Sequence, residues 1–145
     1  MNTGRKIMNV AVVGCGAISD IYLENMIYRF DNLNVIACCA NHLEHAKEKA
    51  EKYGILACTY EEILADPSID MVVILTPAPT HEVLIRQALE VGKHVYTEKD
   101  HDFICKKLPM HCRNWLLPKI FFSAPHRILF WGQLYRLPKK QLITV

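Results

Sequence analysis

The stretch "MNVAVVGCGAIS", residues 8–19, decides how the chain is read. Residues 8–14 are a short, almost continuous apolar run ending in glycine, the pattern expected of a strand buried on both faces. Gly14-x-Gly16-x-x-Ser19 follows at once and opens a segment with helical spacing. Gly14 permits a tight turn. Gly16 carries no side chain, so a pyrophosphate can approach the backbone and rest on the N-terminus of the next helix. Ser19 stands where a third glycine is usual and is small enough for close helix–strand packing. In this strand–turn–helix setting the motif reads as a dinucleotide-binding loop. The alternative reading is a turn with a structural role only.

The rest of the first hundred residues repeats the alternation. In "AISDIYLENMIYRF" the residues Ile18, Ile21, Tyr22, Asn25, Met26 and Arg29 fall at helical spacing, which predicts a mostly apolar stripe. "LNVIACCA" (33–40) predicts a second buried strand, and "HLEHAKEKAEKYG" (42–54) a charged helix stopped by Gly54. "ILACT" (55–59) is a weaker strand, and "EEILAD" (61–66) a short helix stopped by Pro67. "IDMVVILT" (69–76) is the strongest strand. Thr80 is placed to cap a helix over 81–92, and "KHVYTE" (93–98) makes a fifth strand. Strands alternating with helices at this spacing give βαβ units, hence an α/β fold with a doubly wound parallel sheet.

Such a sheet presents ligands at the carboxyl ends of its strands. The second strand ends "CCANH", with no carboxylate to turn away a 2′-phosphate, and Asn41 can hydrogen-bond either a ribose or a phosphate. NAD against NADP is therefore left open, with His42 and His45 as helpers or simply as a solvated helix start. Thr76 and Pro77 end the fourth strand, and His81 follows one turn on, as a packing, capping or catalytic histidine. Glu98 and Lys99 emerge from the fifth strand at the same edge. A lysine there can donate a proton to a substrate oxygen as a hydride moves, or can form a surface ion pair with its neighbour.

"VAVVGCGAIS", "AEKYGI" and "ADPSIDMVVILTPAPTHEVLIRQALEVGKHVYTEK" together resemble the nucleotide-binding domain of the Gfo/Idh/MocA oxidoreductase family, over roughly residues 7–99. The resemblance implies a Rossmann-type domain binding NAD or NADP, with Gly14, Gly16, Ala17 and Ile18 lining the cofactor phosphates. It implies that Thr76, Pro77 and His81 flank the nicotinamide side and that Glu98 contacts the nicotinamide end. Lys99 corresponds to the lysine of the family's Glu-Lys-Pro motif, a catalytic and substrate-binding position. The implied parent activity is oxidation of a sugar, inositol or similar polyol, in a protein whose homo-oligomeric state is left open. The chain departs from the pattern in having Ala40 where an acid is common, Asp100 where the proline belongs, and no second, substrate-binding domain within its 145 residues. It is accordingly expected to be catalytically incomplete in this form.

The second segment, 100–145, has another character. Residues 1–102 carry 9 Lys and Arg against 15 Asp and Glu, a net of −6, whereas 103–145 carry 8 against 0. "LPMHCRNWLLPKIFFSAPHRILFWGQLYRLPKKQ" holds four prolines at irregular intervals and no steady period of 2 or 3.6, so neither helix nor strand is expected. A change of reading frame just after Lys99 accounts for it. Asp100-His101 can be encoded GAC CAT, which contains the proline codon CCA and restores Glu-Lys-Pro. In the same shifted frame Phe130-Trp131 must give leucine and Trp131-Gly132 must give glycine, whatever codons are used, within a string resembling the family's "PDTFLG" segment. The other reading is a genuine basic arm on a non-catalytic nucleotide-binding or interaction protein, for which nucleic acid is the disfavoured partner.

The six cysteines have no framework spacing and read as reduced thiols in a cytoplasmic protein. His101, Cys105, His111 and Cys112 match no common zinc-site spacing, so no metal is expected. Val12-Val13-Gly14-Cys15 resembles a lipoprotein cleavage box, but Asn9 interrupts the short apolar segment before it. No apolar run reaches the roughly 18 residues that span a bilayer.

Overall fold

The computed structural model describes residues 7–97 and the strand at 120–122. Its elements are β1 (Met8–Val13), α1 (Ser19–Tyr28), β2 (Leu33–Cys39), α2 (Leu43–Tyr53), β3 (Leu56–Ala57), α3 (Tyr60–Ala65), β4 (Met71–Ile74), α4 (Ala78–Glu90), β5 (His94–Thr97) and β6 (Ile120–Phe122). The strands form one parallel sheet in the order β3-β2-β1-β4-β5-β6. This is the doubly wound α/β arrangement expected from the alternation. Among the described residues no helix is long and apolar enough to cross a membrane.

Side chains of period two feed two cores, one on each face of the sheet. Val10, Val12, Cys38, Met71, Val73 and Tyr96 face α1 and α2, which contribute Tyr22, Leu23, Met26, Ala46 and Ala50. Ala11, Val13, Ala37, Val72, Ile74 and Val95 face α3 and α4, which contribute Ile63, Ile85, Ala88 and Leu89. Every residue of β4 is buried, as a central strand covered on both faces requires. The β1–β2 register slips between Val10 and Ala11, leaving Ile36 as the extra residue on β2.

Local chemistry explains most boundaries. Gly54 closes α2 in the left-handed region at φ 66°, where a Cβ would be strained. Thr59 and Glu62 form a reciprocal capping box on α3. The buried Lys93 donates to the carbonyls of Asp66 and Ile69, tying the entry of β5 to the end of α3.

Three expectations need correction. The buried stripe of α1 is Ser19, Tyr22, Leu23 and Met26, while Ile21 is exposed, so the helix is rotated from the stripe read through Ile21 and Arg29. Helix α4 begins at Ala78 with Pro77 as its N-cap, and Thr80 lies inside the first turn rather than at the cap. Pro79 is tolerated there because the N–H it lacks would have no intrahelical partner in the first turn. A strand also occurs where none was expected: Ile120–Phe122 pairs in parallel with Val95–Thr97. A β-branched residue and two aromatics favour extended backbone, and the edge of β5 supplies a template.

Candidate functional site

The carboxyl ends of β1, β2 and β4 converge on Gly14. Its N–H donates to the carbonyl of Cys39 at 2.9 Å. Its φ is +105°, and a Cβ built there would lie 2.9 Å from the backbone carbon of Leu75 and the backbone nitrogen of Thr76. Glycine is thus required twice over, by conformation and by the approach of another strand's backbone. At Gly16 the reverse holds: a Cβ would meet no protein atom within 4 Å. Nothing inside the protein demands a glycine at 16, so the space above it is available to a ligand.

The same loop leads into α1. Ser19 is fully buried, and its hydroxyl donates to the carbonyl of Gly16 at 2.6 Å, which satisfies the polar atom that its packing position would otherwise strand. Ile18 occupies the N-cap and supplies no side-chain hydrogen bond to the first turn. The first-turn N–H groups and the positive end of the helix therefore face the exposed Gly16 and Ala17, an arrangement that receives a phosphate. Asp20 in that turn would oppose an anion, but its carboxylate is engaged by Lys49 at 2.5 Å, Lys52 at 3.2 Å and the Tyr53 hydroxyl at 2.7 Å. These partners, the Lys49 hydrogen bond foremost, hold Asp20 well below the usual carboxylate range. Asn41 is exposed at the loop between β2 and α2, and the His42 and His45 rings meet edge to face at 5.7 Å beside it.

On the far side of the β1–β4 crevice, Thr76 and Pro77 carry the chain from β4 into α4. The Thr80 hydroxyl donates to the carbonyl of Pro77 at 2.9 Å and lies 2.8 Å from the Thr76 hydroxyl. His81 is buried. Its Nε2 sits 2.5 Å from the Thr76 carbonyl oxygen and its Nδ1 is 3.3 Å from the Thr97 hydroxyl. A carbonyl only accepts, so Nε2 carries a proton and donates to Thr76, while Nδ1 is paired with the Thr97 hydroxyl. Both ring nitrogens are spent on linking the ends of β4 and β5, which makes His81 a clamp rather than a free acid or base. Glu98 and Lys99 lie outside the described residues, one and two positions past the Thr97 that this clamp holds.

Gly14, Gly16, Ala17 and Ile18 are therefore brought together on one side of the crevice and Thr76, Pro77 and His81 on the other, with Asn41 at the end of β2. The Asp20–Lys49–Tyr53 cluster was missed from the sequence, because it joins residues far apart in the chain that only the packing of α1 against α2 brings together.

The oxidoreductase family Gfo/Idh/MocA, with an NAD-binding Rossmann fold, matches residues 8–99. The chain belongs to that family. It is similar to the inositol 2-dehydrogenase of Burkholderia ambifaria (strain MC40-6), 28% identical over 95 residues that cover 63% of this chain and 28% of the relative. Among solved structures, a candidate myo-inositol dehydrogenase of Sinorhizobium meliloti 1021 superposes with a TM-score of 0.71 at 24% identity, over 80% of this chain and 36% of that one. This likeness speaks for the fold. The 3-ketoreductase KijD10 of Actinomadura kijaniata, solved with NADP, superposes at 0.60 with 28% identity, over 65% of this chain and 30% of that one. The chain spans under a third of the length of the curated relative it matches. The matched residues form a dinucleotide-binding Rossmann domain, and the open face at Gly16 with the uncapped start of α1 fits that cofactor.

Proposed function

We propose that residues 7–99 hold NAD(H) or NADP(H) with the pyrophosphate over Gly16, Ala17 and Ile18, and supply the cofactor half of an active site that oxidises a sugar, inositol or similar polyol. The observation that carries this reading is the contrast between the two glycines: one is demanded by the protein's own backbone, the other only by something outside it. The inositol dehydrogenase among the relatives supports the polyol class. Thr76 and Pro77 border the nicotinamide side, Asn41 meets the adenosine ribose or its phosphate, and Glu98 contacts the nicotinamide end.

When bound, the nicotinamide supplies the acceptor for a hydride leaving the alcohol carbon. Lys99 takes the hydroxyl proton as the carbonyl forms, or returns it in the reverse direction. His81 holds the end of β5, and with it the starting point of the Glu98-Lys99 segment, against the end of β4. Residues 100–145 are read as out-of-frame sequence following a domain that ends at Lys99. The forced Leu-Gly pair at 130–132 supports this, and the nucleotide sequence around codon 100 tests it: a one-base shift should open a continuous frame.

The binding reading is tested by titrating the purified chain with NADH and NADPH, followed by nicotinamide fluorescence and calorimetry. Saturable binding of at least one is expected. A folded sample that binds neither at millimolar concentration overturns the proposal.

A further inference from the structure

Asp20 stands where a carboxylate helps the fold and hinders a ligand. It is the second residue of α1, directly after Ser19, whose N–H and hydroxyl both donate to the Gly16 carbonyl, at 3.0 and 2.6 Å. The Tyr22 N–H donates to the Ile18 carbonyl at 3.5 Å. The N–H groups of Asp20 and Ile21, between these two, are first-turn donors that an α-helix leaves without a carbonyl of its own. Ile18 offers them no side-chain cap. A carboxylate in this turn stabilises the positive end of a helix, and an Asp side chain readily accepts from the backbone N–H of its own residue or of near neighbours. Unrestrained, Asp20 would occupy the donors that a pyrophosphate over Gly16 needs.

The structure holds the carboxylate elsewhere. Lys49, Lys52 and Tyr53 recur at i, i+3 and i+4 along α2 and therefore share one face of that helix. All three reach across to Asp20. Lys49 Nζ donates to Oδ2 at 2.5 Å, while Lys52 Nζ and the Tyr53 hydroxyl donate to Oδ1 at 3.2 and 2.7 Å. Both carboxylate oxygens are thus committed to α2. The two lysines are not equivalent: the Lys49 side chain is 17% exposed and the Lys52 side chain 54%, and an exposed, longer ion pair restrains little. The Tyr53 hydroxyl also lies 3.3 Å from Glu24, one turn further along α1, which seats the phenol against that helix.

We infer that Lys49 and Tyr53 are positioning residues for the dinucleotide, drawing the Asp20 carboxylate toward α2 and so leaving the Asp20 and Ile21 N–H groups to the pyrophosphate. Both act through Asp20 rather than on the cofactor. This role presupposes the dinucleotide reading and extends the binding machinery from the glycine loop to α2. Its signature is coupling between positions 20 and 49. Loss of Lys49 matters to binding only while a carboxylate stands at 20, whereas a merely structural contribution is lost whatever stands there.

The test is a double-mutant cycle on the full chain, with Kd for NADH and NADPH read by nicotinamide fluorescence and folding checked by melts. Lys49→Met should weaken binding roughly threefold or more, the scale of one charge at a helix terminus. Lys49→Arg, which keeps a donor for Asp20, should restore it. Asp20→Ala alone should stay within about twofold of wild type, since the carboxylate is already held away. Lys49→Met combined with Asp20→Ala should bind like Asp20→Ala. Lys52→Met should change affinity less than Lys49→Met. Should Lys49→Met fail to fold, Tyr53→Phe with and without Asp20→Ala makes the same comparison. A folded Lys49→Met that binds like wild type overturns the inference, as does a double variant that stays as weak as Lys49→Met. In either case the wild type still binds, so the functional reading stands. A folded wild type that binds neither dinucleotide overturns both.

Discussion

Substituting each of the two glycines by alanine separates folding from binding within one loop. In Gly14→Ala the new methyl would stand 2.9 Å from two backbone atoms of the β4–α4 connection, at a φ of +105°. Holding an L-residue in a sparsely populated region of this kind costs about 1–3 kcal/mol, and overpacking against atoms that cannot rotate away adds about 1–3 kcal/mol. A loss of about 2–6 kcal/mol is a large part of a small domain's total stability. The denaturation midpoint should fall steeply, and a loss at the upper end of that range leaves the chain largely unfolded at 37 °C. In Gly16→Ala the methyl meets nothing, and φ is not in the left-handed range, so the midpoint should stay within about 0.5 kcal/mol of wild type. Its affinity for NADH or NADPH should nevertheless fall at least tenfold, equivalent to about 1.4 kcal/mol, because the methyl occupies the path of the pyrophosphate. Guanidinium melts and cofactor titrations of the three proteins are the measurements. Equal stability of Gly14→Ala and wild type would refute the close backbone approach. Unchanged cofactor affinity in a folded Gly16→Ala would refute the placement of the phosphates.

Three further outcomes are expected. His81→Leu removes both links between the ends of β4 and β5 and should cost about 1–3 kcal/mol in thermal or chemical melts. Lys93→Met leaves the carbonyls of Asp66 and Ile69 without their buried donor, and a similar loss of about 1–3 kcal/mol should appear, whereas a purely surface role would leave the midpoint unmoved. Asp20 is held below its ordinary value in the folded chain, so its contribution is present above the unfolded value near about 4 and is lost as pH falls below it. The carboxylate is partly exposed and screened, which limits that contribution to about 1 kcal/mol. Asp20→Asn should therefore melt lower than wild type at neutral pH and converge with it in acid; a constant difference down to pH 2 would contradict the ion-pair account.

The legible parts of the fold were those whose signal is local. β1, β2, β4 and β5 are apolar runs broken by glycine or turn residues, and burial on both faces leaves such runs no other place. Gly54 and the Gly14–Ser19 loop are equally local, since backbone conformation and motif lie in adjacent letters. The face of α1 was misjudged because its first turn belongs to the loop: Ser19 packs inward at the glycine-like position, and that rotates Ile21 outward. The start of α4 was placed too late because Thr80 was read as its cap, whereas Pro77 holds that position and Pro79 is tolerated in the first turn. β6 was missed because three residues are too few to show a period. The His81 clamp and the Asp20 cluster require knowing which strands and helices are neighbours, and no single segment carries that information.

Strand order supplies what those segments lack. From β1 the chain winds outward through β2 and β3, then returns to place β4 on the other side of β1. The helices after β1 and β4 consequently lie on opposite faces, and a crevice opens between the carboxyl ends of these two strands, the position at which doubly wound sheets receive ligands. Gly14 lines one wall and the Leu75–Thr76 backbone the other, so close that only glycine fits at their contact. The Gly14–Ser19 loop and the Thr76–Pro77 segment, the two proposed to meet the cofactor's phosphates and nicotinamide, are thereby held in one junction. His81 extends the junction by one strand, since it grips the Thr76 carbonyl with one nitrogen and the Thr97 hydroxyl with the other. The reach from the pyrophosphate loop to the end of β5 is thus set by backbone contact and buried hydrogen bonds rather than by surface side chains. On the proposed reading, substituting the exposed Asn41 should therefore change the relative affinity for NADH and NADPH while leaving the melting midpoint within about 0.5 kcal/mol of wild type. An unchanged ratio of affinities would refute its placement at the adenosine ribose.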